Sequence, residues 1–109
     1  MNTPEQKLDK KIMIYCGEQG WLCFHANVGS VMTADGRIFR TGLPKGFPDL
    51  LILTQDGETI FCETKIHPRK PTQEQLNFID ILQKYHYNAF VCYSLDEFIA
   101  KTLYKKIVR

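Results

Sequence analysis

Apolar residues change period along the chain, and each change predicts an element. Leu8, Ile12, Tyr15 and Cys16 recur at helical spacing. Thr3 precedes them as an N-cap, with Pro4 at the first helical position and Gln6 completing a capping box. Gly20 ends this helix. Residues 21–26 are apolar and aromatic and predict a strand, broken by Asn27-Val28-Gly29-Ser30. Trp21 and Phe24 are expected in the core, and His25 in a structural role. Two short runs, 31–33 and 37–40, flank the hairpin signal Asp35-Gly36 and predict a small ribbon. Residues 41–47, with two glycines and Pro44, predict a loop. Residues 49–54 form a near-continuous apolar run, the pattern of a central strand covered on both faces. A turn at 55–57 leads into another strand at 58–65. A basic, proline-bounded loop at 66–71 follows. Thr72 and Gln75 then open a second helix whose stripe is Leu76, Ile79, Leu82 and Tyr85, widened by Phe78 and Ile81. Residues 89–93 predict a short strand, and Ser94 with Glu97 a third capping box. Leu95, Phe98, Ile99 and Leu103 mark the last helix.

The order is helix, strand, ribbon, strand, strand, helix, strand, helix. It predicts one α/β domain over 1–109, a mixed α+β sheet flanked by helices, with a right-handed crossover between residues 58 and 93. At 109 residues the chain has the size of one domain, and its 12% aromatic share is too rich for disorder. No apolar stretch reaches the roughly 18 residues of a membrane span, and no signal-peptide core opens the chain, so a cytoplasmic location is expected. None of the four cysteines forms a C-x-x-C pair, which argues against a zinc knuckle; all four read as small buried hydrophobes.

The net charge of +2 is uninformative, but the placement of charge is not. Asp49 stands at the mouth of one apolar run. Glu63 and Lys65 stand two apart in the next and, by strand alternation, share a face. Taken alone, that pair also fits a solvent-facing edge, and Pro48-Asp49 an ordinary turn. If the two runs form a hairpin about Asp56, Asp49 and Glu63 lie seven residues to either side and become level. Two level carboxylates repel and lose hydration unless a cation joins them. Magnesium suits such a pair, with a backbone carbonyl near Thr64, water and a substrate phosphate completing its shell. Lys65 beside it could offset charge in a pentavalent transition state or orient the attacking water. The chemistry so supported is phosphodiester hydrolysis.

Pro48-Asp49, a spacer and Glu63-Thr64-Lys65 resemble the PD-(D/E)XK nuclease signature. Gly42-Leu43-Pro44-Lys45-Gly46-Phe47-Pro48-Asp49-Leu50 resembles the glycine-rich lead-in of its VRR-NUC branch. Thr72-Gln73-Glu74-Gln75 resembles that branch's helix opening, and Glu5 its N-terminal acidic position, which Glu18 could also fill. The resemblance implies a restriction-endonuclease-like core of order α-β-β-β-α-β-α and a Mg2+- or Mn2+-dependent DNA endonuclease. Asp49 and Glu63 would be metal ligands with the Thr64 carbonyl and Glu5, Lys65 the catalytic lysine, and Gln75 a supporting active-site residue. Stand-alone domains of this kind resemble phage or bacterial homodimers acting on branched DNA such as four-way junctions.

Lys45, His67, Arg69 and Lys70 surround the motif, and Arg37 and Arg40 on the ribbon could extend this basic track toward DNA phosphates. The other reading is a non-catalytic nucleic-acid-binding module on the same fold. Nuclease action on flaps, ends or RNA differs from the first only in substrate.

Overall fold

The structure, a computed structural model, describes residues 3–26, 30–40 and 42–108, with the side chains of 30, 31, 39 and 104–108 left out of the description. The strand break expected at 27–29 and Thr41 of the expected loop lie outside the described residues. The order is α1 (Pro4–Glu18), β1 (Leu22–His25), β2 (Ser30–Met32), β3 (Ile38–Arg40), β4 (Leu50–Leu53), β5 (Thr59–Thr64), α2 (Gln73–Lys84), β6 (Asn88–Cys92) and α3 (Leu95–Val108). A four-stranded sheet runs β1-β4-β5-β6, and β2 and β3 form a separate antiparallel ribbon. β1, β4 and β5 are antiparallel, while β6 joins β5 in parallel through α2.

Both hairpins close on the same chemistry. Thr33-Ala34-Asp35-Gly36 and Thr54-Gln55-Asp56-Gly57 each end on a glycine with positive φ, +87° at Gly36 and +86° at Gly57. In each, the threonine N–H bonds back across the turn, to Arg37 O at 2.7 Å and to Glu58 O at 2.9 Å. Each threonine hydroxyl also donates to the aspartate two residues on. Asx-type bonding and a left-handed glycine are what a short hairpin loop needs.

Strand alternation divides the core in two. Leu50, Ile52, Ile60, Cys62, Phe90 and Cys92 face α1 and α3, where they meet Leu8, Ile12, Cys16 and Phe98. Phe61 and Ala89 face α2, where Ile79 and Leu82 cover them with Phe47, Leu51, Phe78 and Val91. The sheet is therefore filled on both sides, but unevenly. β5, rather than β4, is the strand covered throughout, because Leu53 of β4 is 36% exposed where α2 does not reach. For the same reason Phe24, on edge strand β1, is exposed rather than core, whereas Trp21 packs partly against the α1 side.

The capping boxes at Thr3–Gln6 and Thr72–Gln75 both form. The third is displaced: Ser94 Oγ accepts from Glu97 N–H, but the Glu97 carboxylate reaches the Tyr93 N–H instead of Ser94's. On α2 the buried stripe is Ile79 and Leu82 with Phe78 half-buried; Leu76, Ile81 and Tyr85 are exposed. On α3, Thr102 is buried where Leu103 was expected. The thiols of Cys16, Cys62 and Cys92 are buried and Cys23 is half-buried, all four free. No described helix is long and apolar enough to cross a membrane.

Candidate active site

The site lies where β5 outruns β4. Their register ends at Leu50 opposite Cys62, so the next position sets Asp49 against Glu63. Past the last strand pair, the Thr64 N–H finds no backbone acceptor on that side and donates to Asp49 Oδ2 at 3.1 Å. The Thr64 hydroxyl lies 3.0 Å from the same oxygen. This clamps one oxygen of Asp49 to β5.

Glu63 points to the α2 face and is 1% exposed. Its Oε2 accepts from Gln75 Nε2 at 3.1 Å and lies 3.6 Å from Lys65 Nζ. Its Oε1 is buried with no hydrogen-bond partner. Burial first, and then the Asp49 carboxylate, push the Glu63 pKa up to about 9 against the opposing pull of Lys65. The protonated form of Glu63 is therefore the favoured one at neutral pH. Gln75 has two functions. Its Oε1 caps α2 through the Thr72 N–H at 2.8 Å, and its amide nitrogen serves Glu63.

A tight glycine contact sets α2 against the site. Gly46 has φ +95°, and a Cβ there would sit 2.6 Å from Glu74 O, on the turn that carries Gln75. Lys45 adds an ion pair to Glu74 at 2.9 Å, which holds the Glu74 carboxyl below the usual range. Gly46→Ala is expected to cost about 2–3 kcal/mol, from strain plus the backbone clash. Gly57→Ala, at a similar φ but with open space around it, should cost less, about 1 kcal/mol. Thermal unfolding of the two variants checks this.

The acid nearest the site on α1 is Asp9, which the sequence reading passed over. Asp9 is 7% exposed, is bonded to the Thr64 hydroxyl through Oδ1, and lies 2.9 Å from His25 Nε2 through Oδ2. The signal was present: Asp9 shares the apolar stripe of Ile12 and Cys16, and a carboxylate on a buried stripe needs a partner. His25, expected to be merely structural, is that partner. Glu5, one turn earlier on the same face, is paired with Arg69 at 3.5 Å instead of joining Asp49. It shares with Asp9, His25, Asp49, His67 and Arg69 a cavity of about 500 Å³. Glu18 is at the far end of α1 and is excluded from the site. Among the described residues no three His, Cys, Asp or Glu side chains form a metal-holding group, so Asp49 and Glu63 stand as a carboxylate pair.

A family model of the VRR-NUC domain matches residues 4–96. The chain belongs to the VRR-NUC domain family. This is a nuclease-type domain, and its PD-(D/E)XK-like architecture agrees with the mixed sheet and three helices seen here. A solved structure described as a VRR_NUC domain superposes with a TM-score of 0.67 at 26% identity, covering 87% of this chain and 89% of its own. No curated protein matches the chain.

The basic residues of this VRR-NUC domain are spread unevenly. Arg37 is paired to Asp35 at the ribbon tip, and Lys45 to Glu74 beside α2. His67 is stacked on Tyr93, with ring centroids 4.2 Å apart. Arg69 borders the cavity, and Arg40 and Lys70 are exposed.

Proposed function

We propose that this VRR-NUC domain is a Mg2+- or Mn2+-dependent endonuclease that hydrolyses phosphodiesters in DNA, preferentially in branched DNA such as four-way junctions. The observation that carries the reading is the buried, unpartnered oxygen of Glu63, level with Asp49. A carboxylate with its pKa pushed up to about 9 by burial and by a second carboxylate is a poor structural choice but fits a hard divalent cation. Asp49 and Glu63 would hold that cation, with the Thr64 carbonyl. Glu5 would act from outside that set, since Arg69 engages it. A divalent cation supplies Lewis-acid polarisation of the phosphate.

The chain's own residues provide the rest. The Lys65 ammonium, 13% exposed and anchored near Glu63, offsets the charge of the pentavalent phosphorus and orients the attacking water. Gln75 keeps Glu63 from turning away. Arg69, Lys70, His67 and Lys45 receive the flanking phosphates, with Arg37 and Arg40 further along the backbone. A homodimer suits a four-way junction, which offers two equivalent strands. The activity would reside in the cytoplasm of a bacterial or phage-infected cell.

A cleavage panel tests this: four-way junction, flap, duplex, single strand and RNA, each with Mg2+, Mn2+ or chelator. Metal-dependent cutting of the junction in preference to the duplex is expected. If every substrate stays uncut while DNA binding persists in chelator, the domain is a binding module. A monomer by light scattering at high concentration would count against paired junction cuts.

A further inference from the structure

Thr64 lies within hydrogen-bond distance of two carboxylates, Asp49 Oδ2 at 3.0 Å and Asp9 Oδ1 at a shorter contact. A hydroxyl has one proton, so it can donate to only one of them at a time. Asp49 Oδ2 already accepts from the Thr64 backbone N–H and Asp9 is buried, which together favour Asp9 as the acceptor of the hydroxyl proton, with His25 holding the other Asp9 oxygen at 2.9 Å. Asp49 Oδ2 is then left with the Thr64 backbone N–H as its donor. That bond fixes the direction of the carboxylate.

We propose that the chain His25–Asp9–Thr64 is a positioning device for the Asp49 carboxylate, tuning its affinity for a divalent cation. By accepting the hydrogen bond from the Thr64 hydroxyl, Asp9 leaves Asp49 Oδ2 with the backbone donor alone from Thr64 and its other lone pairs open to a cation. By holding the Thr64 side chain, it also keeps the β5 terminus in the register that sets Asp49 beside Glu63. The half-exposed His25 keeps Asp9 itself aligned. None of the three side chains needs to touch the cation. Partners of this outer kind change metal affinity by about 10–100-fold when removed. Residues from α1 and β1 thereby act on a site built from β4 and β5, which ties the first helix to the chemistry without a ligand from Glu5.

This inference rests on the metal reading above, and calorimetric Mn2+ titration of the DNA-free protein separates the two. Wild type is expected to bind Mn2+, and Thr64→Val, which keeps the shape of the side chain, to bind about 10–100-fold more weakly. Thr64→Ser should restore binding. His25→Ala, a change at a half-exposed position that leaves the core intact, should weaken binding in the same direction but less. In cleavage assays Thr64→Val should regain activity at high Mn2+, which a general packing defect would not allow. Mn2+ binding by wild type with equal binding by folded Thr64→Val overturns this proposal alone. No Mn2+ binding by wild type overturns the metal reading and this proposal with it.

Discussion

Glu63→Gln is expected to unfold at a higher temperature than wild type in metal-free buffer at pH 8, and to cut no DNA. The Glu63 pKa is pushed up to about 9 in the fold, against an ordinary value of 4.5. A raised carboxyl pKa means that the folded state prefers the protonated form. The group therefore costs the fold nothing below about pH 4.5. As pH rises toward 9, folding must either take up a proton or bury a charge, and stability falls. Each pH step in that window is worth up to about 1.4 kcal/mol, so the accumulated penalty at pH 8 reaches several kcal/mol as an upper bound. Glutamine carries no charge. It can accept from Gln75 as Glu63 Oε2 does, and its amide brings donors into a site where a carboxylate has none to offer. A gain of about 5 °C or more at pH 8 is expected, shrinking to nothing near pH 4.5. Differential scanning calorimetry across that range measures it. Added Mn2+ should raise the wild-type transition and not that of Glu63→Gln. A variant that melts at or below wild type at pH 8 would mean that Glu63 is satisfied by contacts other than a cation.

Lys65→Ala should lower cleavage by a factor on the order of 10²–10³ while leaving the fold and junction binding nearly intact. The ammonium is 3.6 Å from Glu63 Oε2 and only 13% exposed, so its charge acts in a poorly screened site. Its removal leaves no buried carboxylate unpaired in the metal-free protein, because Glu63 carries a proton at neutral pH. That separates this variant from an ordinary broken buried ion pair, in which removing one partner destabilises strongly. Lys65→Arg should not restore the rate, since a planar guanidinium cannot occupy the place of a compact ammonium. Asp49→Asn should also abolish cleavage, and it should ease Glu63 back toward ordinary acidity by removing the second cause of its shift. Single-turnover cleavage and binding in Ca2+ measure the two effects independently. Full activity in Lys65→Ala would remove the lysine from the proposed chemistry.

Much of this was legible from local pattern. The capping residues Thr3, Gln6, Thr72 and Gln75 define helix starts that the structure reproduces, because a cap is a bond between residues three apart. The two threonine–aspartate–glycine turns define hairpins for the same reason. The turn at Asp56 alone sets the register, so Asp49 and Glu63 are level by counting. Other features depend on what packs from elsewhere. Phe24, Leu76 and Leu103 look like core in one dimension and are exposed, since nothing in a strand or helix says where a neighbouring layer ends. Gln75 could be read as a cap or as an active-site residue; in three dimensions it is both, through opposite ends of one amide.

The sequence by itself determined the order of elements, the two hairpin registers and the carboxylate–lysine set at the end of β5, all consequences of spacing within one or two adjacent segments. Only the tertiary structure decided that Asp9, and not Glu5, meets β5, that His25 joins it, and that Glu63 is buried with an oxygen left over. Those facts depend on how α1 and α2 lie across the sheet, 55 residues apart in the case of Asp9 and Thr64, and burial across such a distance leaves no periodic trace in the chain.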